Sequence, residues 1–433
     1  MPNPYPSAAT MEAPVSNSPA KVLTASLIGT TIEFFDFYSY ATAAVLVFPT
    51  LFFPGSDPMT ALLASFATFS IAFFARPFGA LVFGHFGDRI GRKATLVAAL
   101  LTMGISTVVI GMLPSYAQIG VVAPLLLALC RFGQGFGLGG EWGGAVLLAT
   151  ENAPAGKRSW YGMFPQLGAP VGLFLSSGFF WVLLHFIDED AFLSWGWRLP
   201  FLSSIFLIAI GLWVRLSISE TPEFAKALER QERVKVPAKD VFTKYKRSLV
   251  LGTFVALVTF VLFYICTAWL LSYNVKILKI SFKDALVVQI FGSVVFGLSI
   301  VFAGKMADWM GRYPFLIGTT VLIALFSFAL APLMGSGAGQ APSVFTFITI
   351  GMFLMGLTYG VIGAVLAAPF PTEVRYTGAS MTFNFAGIAG ASLAPYAATW
   401  LEANYGMAYV GYYLLAASLI TLVCIVLSGK SKI

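Results

Sequence analysis

From about residue 22 to residue 428 the chain is a succession of long apolar runs separated by short polar turns. An apolar run of about 18 residues or more crosses the roughly 30 Å core of a bilayer as a helix. Hydrocarbon offers no partner to backbone N–H and C=O groups, so only helices and closed barrels span it. The runs lack the apolar–polar alternation of barrel strands. An all-α membrane protein follows, with twelve transmembrane helices near 22–52, 61–83, 94–113, 119–149, 160–186, 199–217, 248–274, 285–304, 314–334, 343–370, 378–402 and 407–428. Charge agrees: 10% of the residues are charged, against about a quarter in soluble domains.

Where the charges fall sets the expected topology. Arg89, Arg92, Lys93, Lys157, Arg158, Lys305, Arg312, Arg375 and the basic residues of 218–247 all lie on connections of one side, together with Lys430 and Lys432. Lys276, Lys279 and Lys283 are the exception. Basic connections stay inside, so both termini are expected on the cytoplasmic side of the membrane. The net charge of +7 is thereby explained without nucleic acid. The expected division is a cytoplasmic tail (1–21), a six-helix bundle (22–217), a cytoplasmic linker (218–247), a second six-helix bundle (248–428) and a short tail (429–433). Cys130, Cys266 and Cys424 lie inside spans without paired spacing, and His85 and His185 are far apart. No metal, cofactor or enzymatic set is expected from them.

The halves echo each other. GHFGDRIGRK (84–93) follows the second span and GKMADWMGRY (304–313) the eighth. Gly84 and Gly304, Asp88 and Asp308, Gly91 and Gly311, and Arg92 and Arg312 are each 220 apart. TENAPAGKRSWYG (150–162) and TEVRYTGAS (372–380) repeat at nearly the same offset, with Glu151 and Glu373 222 apart. An internal duplication is implied, and parallel six-span halves are a transporter plan. The glycines suit a tight helix-to-helix turn, and the aspartate can accept from a facing helix N-terminus or an arginine. Gly84, Asp88, Arg89, Gly91, Arg92, Asp308, Gly311, Arg312, Glu151, Arg158, Glu373 and Arg375 are therefore read as a conformational latch across the halves. The alternative is a turn whose basic residues only fix topology.

Residues 84–93 resemble the signature of the major facilitator superfamily. EFFDFYSY (33–40), ARPFGA (75–80), RFGQGFGLGGEWGG (131–144), WGWRLPF (195–201), ETPEF (220–224) and PTEVRYTGAS (371–380) resemble its metabolite:proton symporter branch. That branch includes shikimate, α-ketoglutarate, citrate and proline/betaine carriers, and the resemblance is strongest to enterobacterial inner-membrane metabolite carriers. It covers about residues 21–428. It implies a secondary transporter that moves a small polar metabolite with protons across the lipid bilayer by alternating access; a monomer is expected. Export by exchange, or uncoupled facilitation, is the alternative. Trp309 departs from the signature, standing where a basic residue is usual.

Charges inside spans are costly and functional by default. Glu33 and Asp36 lie roughly 17–21 Å into the first span at 1.5 Å per residue, three positions apart on one face. Arg131 lies at similar depth in the fourth span and is expected to pair with Asp36. The resemblance implies that such an acid and arginine form the proton-coupling couple, with Glu33 modulating; a static pair locking the two helices is the alternative. Arg76 precedes Pro77 and suits a substrate carboxylate, which arginine grips with two parallel bonds, or else pairs with Glu141 or Asp88. Gln134, Glu141, Gln166, Tyr359 and Asn384 complete the expected substrate site, with Tyr264 a further cavity candidate. Arg198 is a candidate for attracting anions at the outer mouth. The glycine run 133–140 is expected to let helices touch and slide.

Overall fold

The computed structural model describes residues 19–55, 57–90, 92–139, 142–151, 153–154, 156–217, 237–335 and 341–429. The described residues form twelve helical rods: α1 (Pro19–Leu46), α2 (Pro58–Ile90), α3 (Arg92–Met112), α4 (Val122–Leu138 continued by Trp142–Glu151), α5 (Arg158–Gln166 continued by Gly168–Phe186), α6 (Arg198–Ser217), α7 (from Lys246–Val255 to Leu270–Lys276), α8 (Phe282–Met310), α9 (Arg312–Phe326 continued to Leu330–Met334), α10 (Ala341–Ala367), α11 (Thr372–Ala386 continued to Ala394–Tyr405) and α12 (Met407–Ser428). Eight rods are long and apolar enough to span a bilayer on composition alone, and Glu189–Gly196 with Arg198–Val214 makes a ninth, bent by 46°. α1, with its two acids, and α11, with Arg375, Ser380, Thr382 and Asn384, are not among them. α3 contributes the shorter apolar helix Val97–Met112.

Within each half the described rods pack in a few dominant pairs, and across the seam α5 and α8 pack as closely as any of them. α1 lies on α5, α3 on α6, and α4 on both α2 and α3; α8 lies on α10, and α12 on α7 and α9. Between the halves, α5 meets α8 and α10, α2 and α4 meet α11, and α1 meets α7. The glycine run earns its place here. A Cβ at Gly135 would collide with the backbone of Ala72, and one at Gly139 with the carbonyl of Arg76. α4 and α2 therefore touch backbone to backbone, as small residues allow in membranes. Asp57 caps α2 by accepting the N–H groups of Met59 and Thr60 and the Thr60 hydroxyl, bonds that hold its carboxyl below the ordinary value.

α7 and α11 each change pitch near mid-length. Ile265–Trp269 and Gly387–Ser392 are π-helical, a form that recurs at functional sites. The connection between α8 and α9 turns at Gly311, whose φ of +87° lies where only glycine is comfortable.

Candidate functional site

Glu33 and Asp36 are both buried, 4% and 1% exposed, on the face of α1 turned toward the neighbouring helices. The Ser204 hydroxyl of α6 donates to Asp36 Oδ1, Thr107 of α3 lies beside the same carboxyl, and Oδ2 has no bond. Phe35 and Phe37 are buried with them, so neither faces lipid.

Arg131 is also fully buried, but it does not pair with Asp36 among the described contacts. Its Nη1 donates to Gln134 Oε1 at 2.9 Å and its Nε to the Phe69 carbonyl at 3.3 Å. Its guanidinium lies over the rings of Tyr40, Phe37 and Phe69 at 4.1, 4.2 and 4.7 Å. The physical reason is plain: an aromatic cage and one amide satisfy the cation, leaving Nη2 without a bond. Gln134 Nε2 donates in turn to Thr107 Oγ1 at 2.8 Å. The expected direct pair is replaced by a hydrogen-bonded path from α4 through α3 toward α1.

Arg76 is buried at the seam between the halves. Its guanidinium lies over Phe73 and Phe37 at 4.7 and 4.8 Å, and its Nε has no bond. Glu33, Tyr38, Tyr264 and Tyr359 are within its electrostatic reach. Tyr264, from α7, packs its ring on Phe69 and Phe73, and the Tyr359 hydroxyl, from α10, has no partner. A cation of the first half is thus faced by two hydroxyl-bearing rings of the second. Of its alternative partners, Glu141 lies outside the described residues and Asp88 outside the described side chains.

Other expected ligands are occupied. Gln166 accepts from Trp142 Nε1 and donates to the Tyr359 carbonyl, both at 3.0 Å. Asn384 donates to the Gly139 carbonyl at 3.3 Å. Both side chains tie the halves together in this conformation. Arg198 donates to the carbonyls of Gly111 and Leu113 at the end of α3, at 2.9 and 2.6 Å. Through Nη1 it thus caps the end of α3.

The second-half turn behaves as its pattern suggests. Asp308 accepts the backbone N–H groups of Ser159 and Trp160, at 3.0 and 2.9 Å, at the start of α5. Gly304, one turn earlier, lies against Trp160 and Met163, where a Cβ would have little room. Among the described contacts, Arg158 and Arg312 make no ion pair with an acid across the seam. Arg312 donates to the Ala364 carbonyl and Arg375 to that of Phe370, Arg158 is exposed, and Trp309 is 79% exposed. The first-half members Gly84, Asp88, Arg89, Gly91 and Arg92, with Glu151 and Glu373, lie outside the described side chains.

The seam is closed on both sides of the charged cluster. Toward the face carrying Lys157, Arg158 and Lys305, here called the basic face, Trp142 stacks on Phe383 with centroids 3.7 Å apart. Toward the opposite face, Ser70 donates to the Ser392 carbonyl at 2.6 Å. There too Ser177 donates to Gln289 Oε1 at 3.0 Å, and Gln289 Nε2 donates to the Thr267 carbonyl at 3.2 Å. Both receiving carbonyls belong to the π-helical segments. Sequence reasoning missed Ser70, Thr107, Ser177, Ser204 and Gln289, because a hydroxyl or amide in an apolar run carries no signal of which neighbour it meets.

Residues 26–392 match the model of the Major Facilitator Superfamily. The chain is 55% identical to the inner membrane metabolite transport protein YhjE of Escherichia coli, over 96% of this chain and 95% of that one. It is 35% identical to the shikimate transporter of Escherichia coli, over 94% of each. It is 34% identical to the proline/betaine transporter of Salmonella typhimurium, over 93% of this chain and 82% of that one. Among solved structures, the D-xylose-proton symporter superposes with a TM-score of 0.73 at 17% identity, over 95% of this chain and 98% of that one.

Proposed function

The chain belongs to the Major Facilitator Superfamily as a metabolite transporter, and on that premise we propose that it imports a small carboxylate or zwitterion together with protons. The observation that carries the substrate class is Arg76. It is a buried cation at the seam, with its Nε unfilled and with Tyr264 and Tyr359 of the other half within its electrostatic reach. A planar guanidinium there suits a carboxylate, which it binds through two parallel bonds. Relatives named for shikimate and for proline and betaine, all carboxylate-bearing solutes, support the same class.

The proton is assigned to Asp36, with Glu33 beside it and Arg131 behind the amide of Gln134. A buried carboxyl without a cation in contact is costly when ionised, so it exchanges a proton as its surroundings change. Access alternates by rocking of residues 22–217 against 248–428. Asp308 on the start of α5 is the contact released when the basic face opens, and the repeat assigns Asp88 the same part. We assign that face to the cytoplasm from its lysines and arginines, and both termini with it; a monomer in the inner membrane is the proposed working unit.

The test is direct. The protein is sealed in liposomes holding a pH-sensitive dye, and carboxylic acids, amino acids and betaines are added outside. Acidification of the lumen by one compound, abolished in Asp36→Asn, is expected. Entry of radiolabel without acidification would return Glu33 and Asp36 to a structural role.

A further inference from the structure

We propose that Gln134 and Thr107 are positioning residues that connect the Asp36 carboxyl to the Arg131 guanidinium, so that a proton gained or lost at Asp36 is felt on α4 without a direct ion pair. The inference rests on the proton-coupling role assigned to Asp36 above. Asp36, Thr107, Arg131 and Gln134 are all buried. Arg131 Nη1 donates to Gln134 Oε1 at 2.9 Å, and Gln134 Nε2 donates to Thr107 Oγ1 at 2.8 Å. Thr107 lies beside the Asp36 carboxyl and directs its own proton to the Met103 carbonyl at 3.0 Å.

A hydroxyl has one proton to give. With its oxygen receiving Gln134, Thr107 gives that proton either to Met103 or to Asp36. The two ends of the path are unfilled: Asp36 Oδ2 and Arg131 Nη2 have no bond. An ionised buried carboxylate demands donors that a neutral carboxyl does not. Turning the Thr107 hydroxyl from Met103 to Asp36 answers the ionised state without moving a helix. It also changes the acceptor that holds Gln134, and through Gln134 the anchor of Arg131. The aromatic cage of Phe37, Tyr40 and Phe69 keeps the guanidinium off the carboxyl, so the amide is the route between them.

The other groups around Asp36 reach it differently in the described contacts. Glu33 of α1 acts on it electrostatically, α6 brings the Ser204 hydroxyl, and Arg76 of α2 lies within electrostatic reach of Glu33. The tyrosines 264 and 359 of α7 and α10 surround Arg76.

The experiment titrates the purified full chain in lipid with the proton as probe, following carboxyl infrared bands. The Asp36 band is identified by its loss in Asp36→Asn. Thr107→Val and Gln134→Leu are each expected to displace its midpoint by about one pH unit, the worth of one buried hydrogen bond. The double variant is expected to move it no further than either single change, because both cut one path. Thr107→Ser is expected to keep the parent midpoint. Gln134→Met, close in shape, carries the same test where the leucine variant does not fold. A midpoint unmoved by the Gln134 changes, or additive displacements in the double variant, overturns the path while leaving Asp36 as the proton site. A band that survives in Asp36→Asn removes the proton role itself, and this inference with it.

Discussion

At the scale of single residues, the charged side chains were legible in the sequence and their partners were not. Glu33, Asp36, Arg76 and Arg131 stand out in apolar runs, and all four are buried near one another. The partner of Arg131 was misjudged because depth along a helix gives height, not azimuth. The hydroxyls were illegible for a different reason. Thr102, Ser106 and Thr253 each satisfy themselves on a carbonyl four residues back, as such residues usually do in helices. Nothing in the sequence separates them from Ser204, which crosses to Asp36. For Arg76 the distinction between a substrate anchor and a structural cation is measurable. Arg76→Lys keeps the charge but loses the planar fork. We expect its KM for the transported acid to rise about tenfold or more, as for loss of one charge-assisted hydrogen bond, with the maximal rate changed less. A KM equal to that of the parent would remove Arg76 from the substrate site.

At the scale of elements, the duplicated turn was the most informative feature of the sequence. The 220-residue offset placed Gly304, Asp308 and Gly311 in one motif, and the structure gives each its physical task. Gly304 lets α8 approach α5, Asp308 fills two orphan donors at the start of α5, and Gly311 reverses the chain. The arginines of the motif resisted reading, because an arginine near helix ends serves carbonyls as readily as acids. Arg312 and Arg375 take carbonyls. The π-helical breaks in α7 and α11 were likewise not foreseen, since nothing in ICTAW or GIAGAS departs from an ordinary apolar helix. Asp308→Asn is predicted to weaken the cap by about 1 kcal/mol. Spin labels at Arg158→Cys and Trp309→Cys, both on exposed positions, then report a larger fraction of molecules with the basic face open. An unchanged distance distribution would make Asp308 a helix cap and no part of a gate.

At the scale of the whole molecule, two bundles and their seam follow from duplication and apolar periodicity, but the conformation does not. A carrier must be compatible with several arrangements separated by a few kcal/mol, so one sequence encodes all of them and favours none legibly. The structure is held on both sides of the charged cluster, and the two closures differ in kind. On the basic face a carboxylate meets a helix end and Trp142 stacks on Phe383. On the opposite face neutral side chains of α2, α5 and α8 reach the carbonyls of the two π-helical segments, Ser70 directly and Ser177 through Gln289. That difference yields opposite predictions for opposite closures. Gln289→Leu deletes the shared amide, worth about 1 kcal/mol, or about a fivefold shift in population. Labels at Phe186→Cys on α5 and Val287→Cys on α8, both exposed, should then separate more often, while the Arg158–Trp309 distance stays closed. If Gln289→Leu instead opened the basic face, or both faces together, the serine–glutamine–carbonyl path would be packing within a rigid seam. Opening confined to the opposite face means that each closure is held by its own bonds. A proton or substrate arriving at the centre then needs to outweigh only one of them at a time.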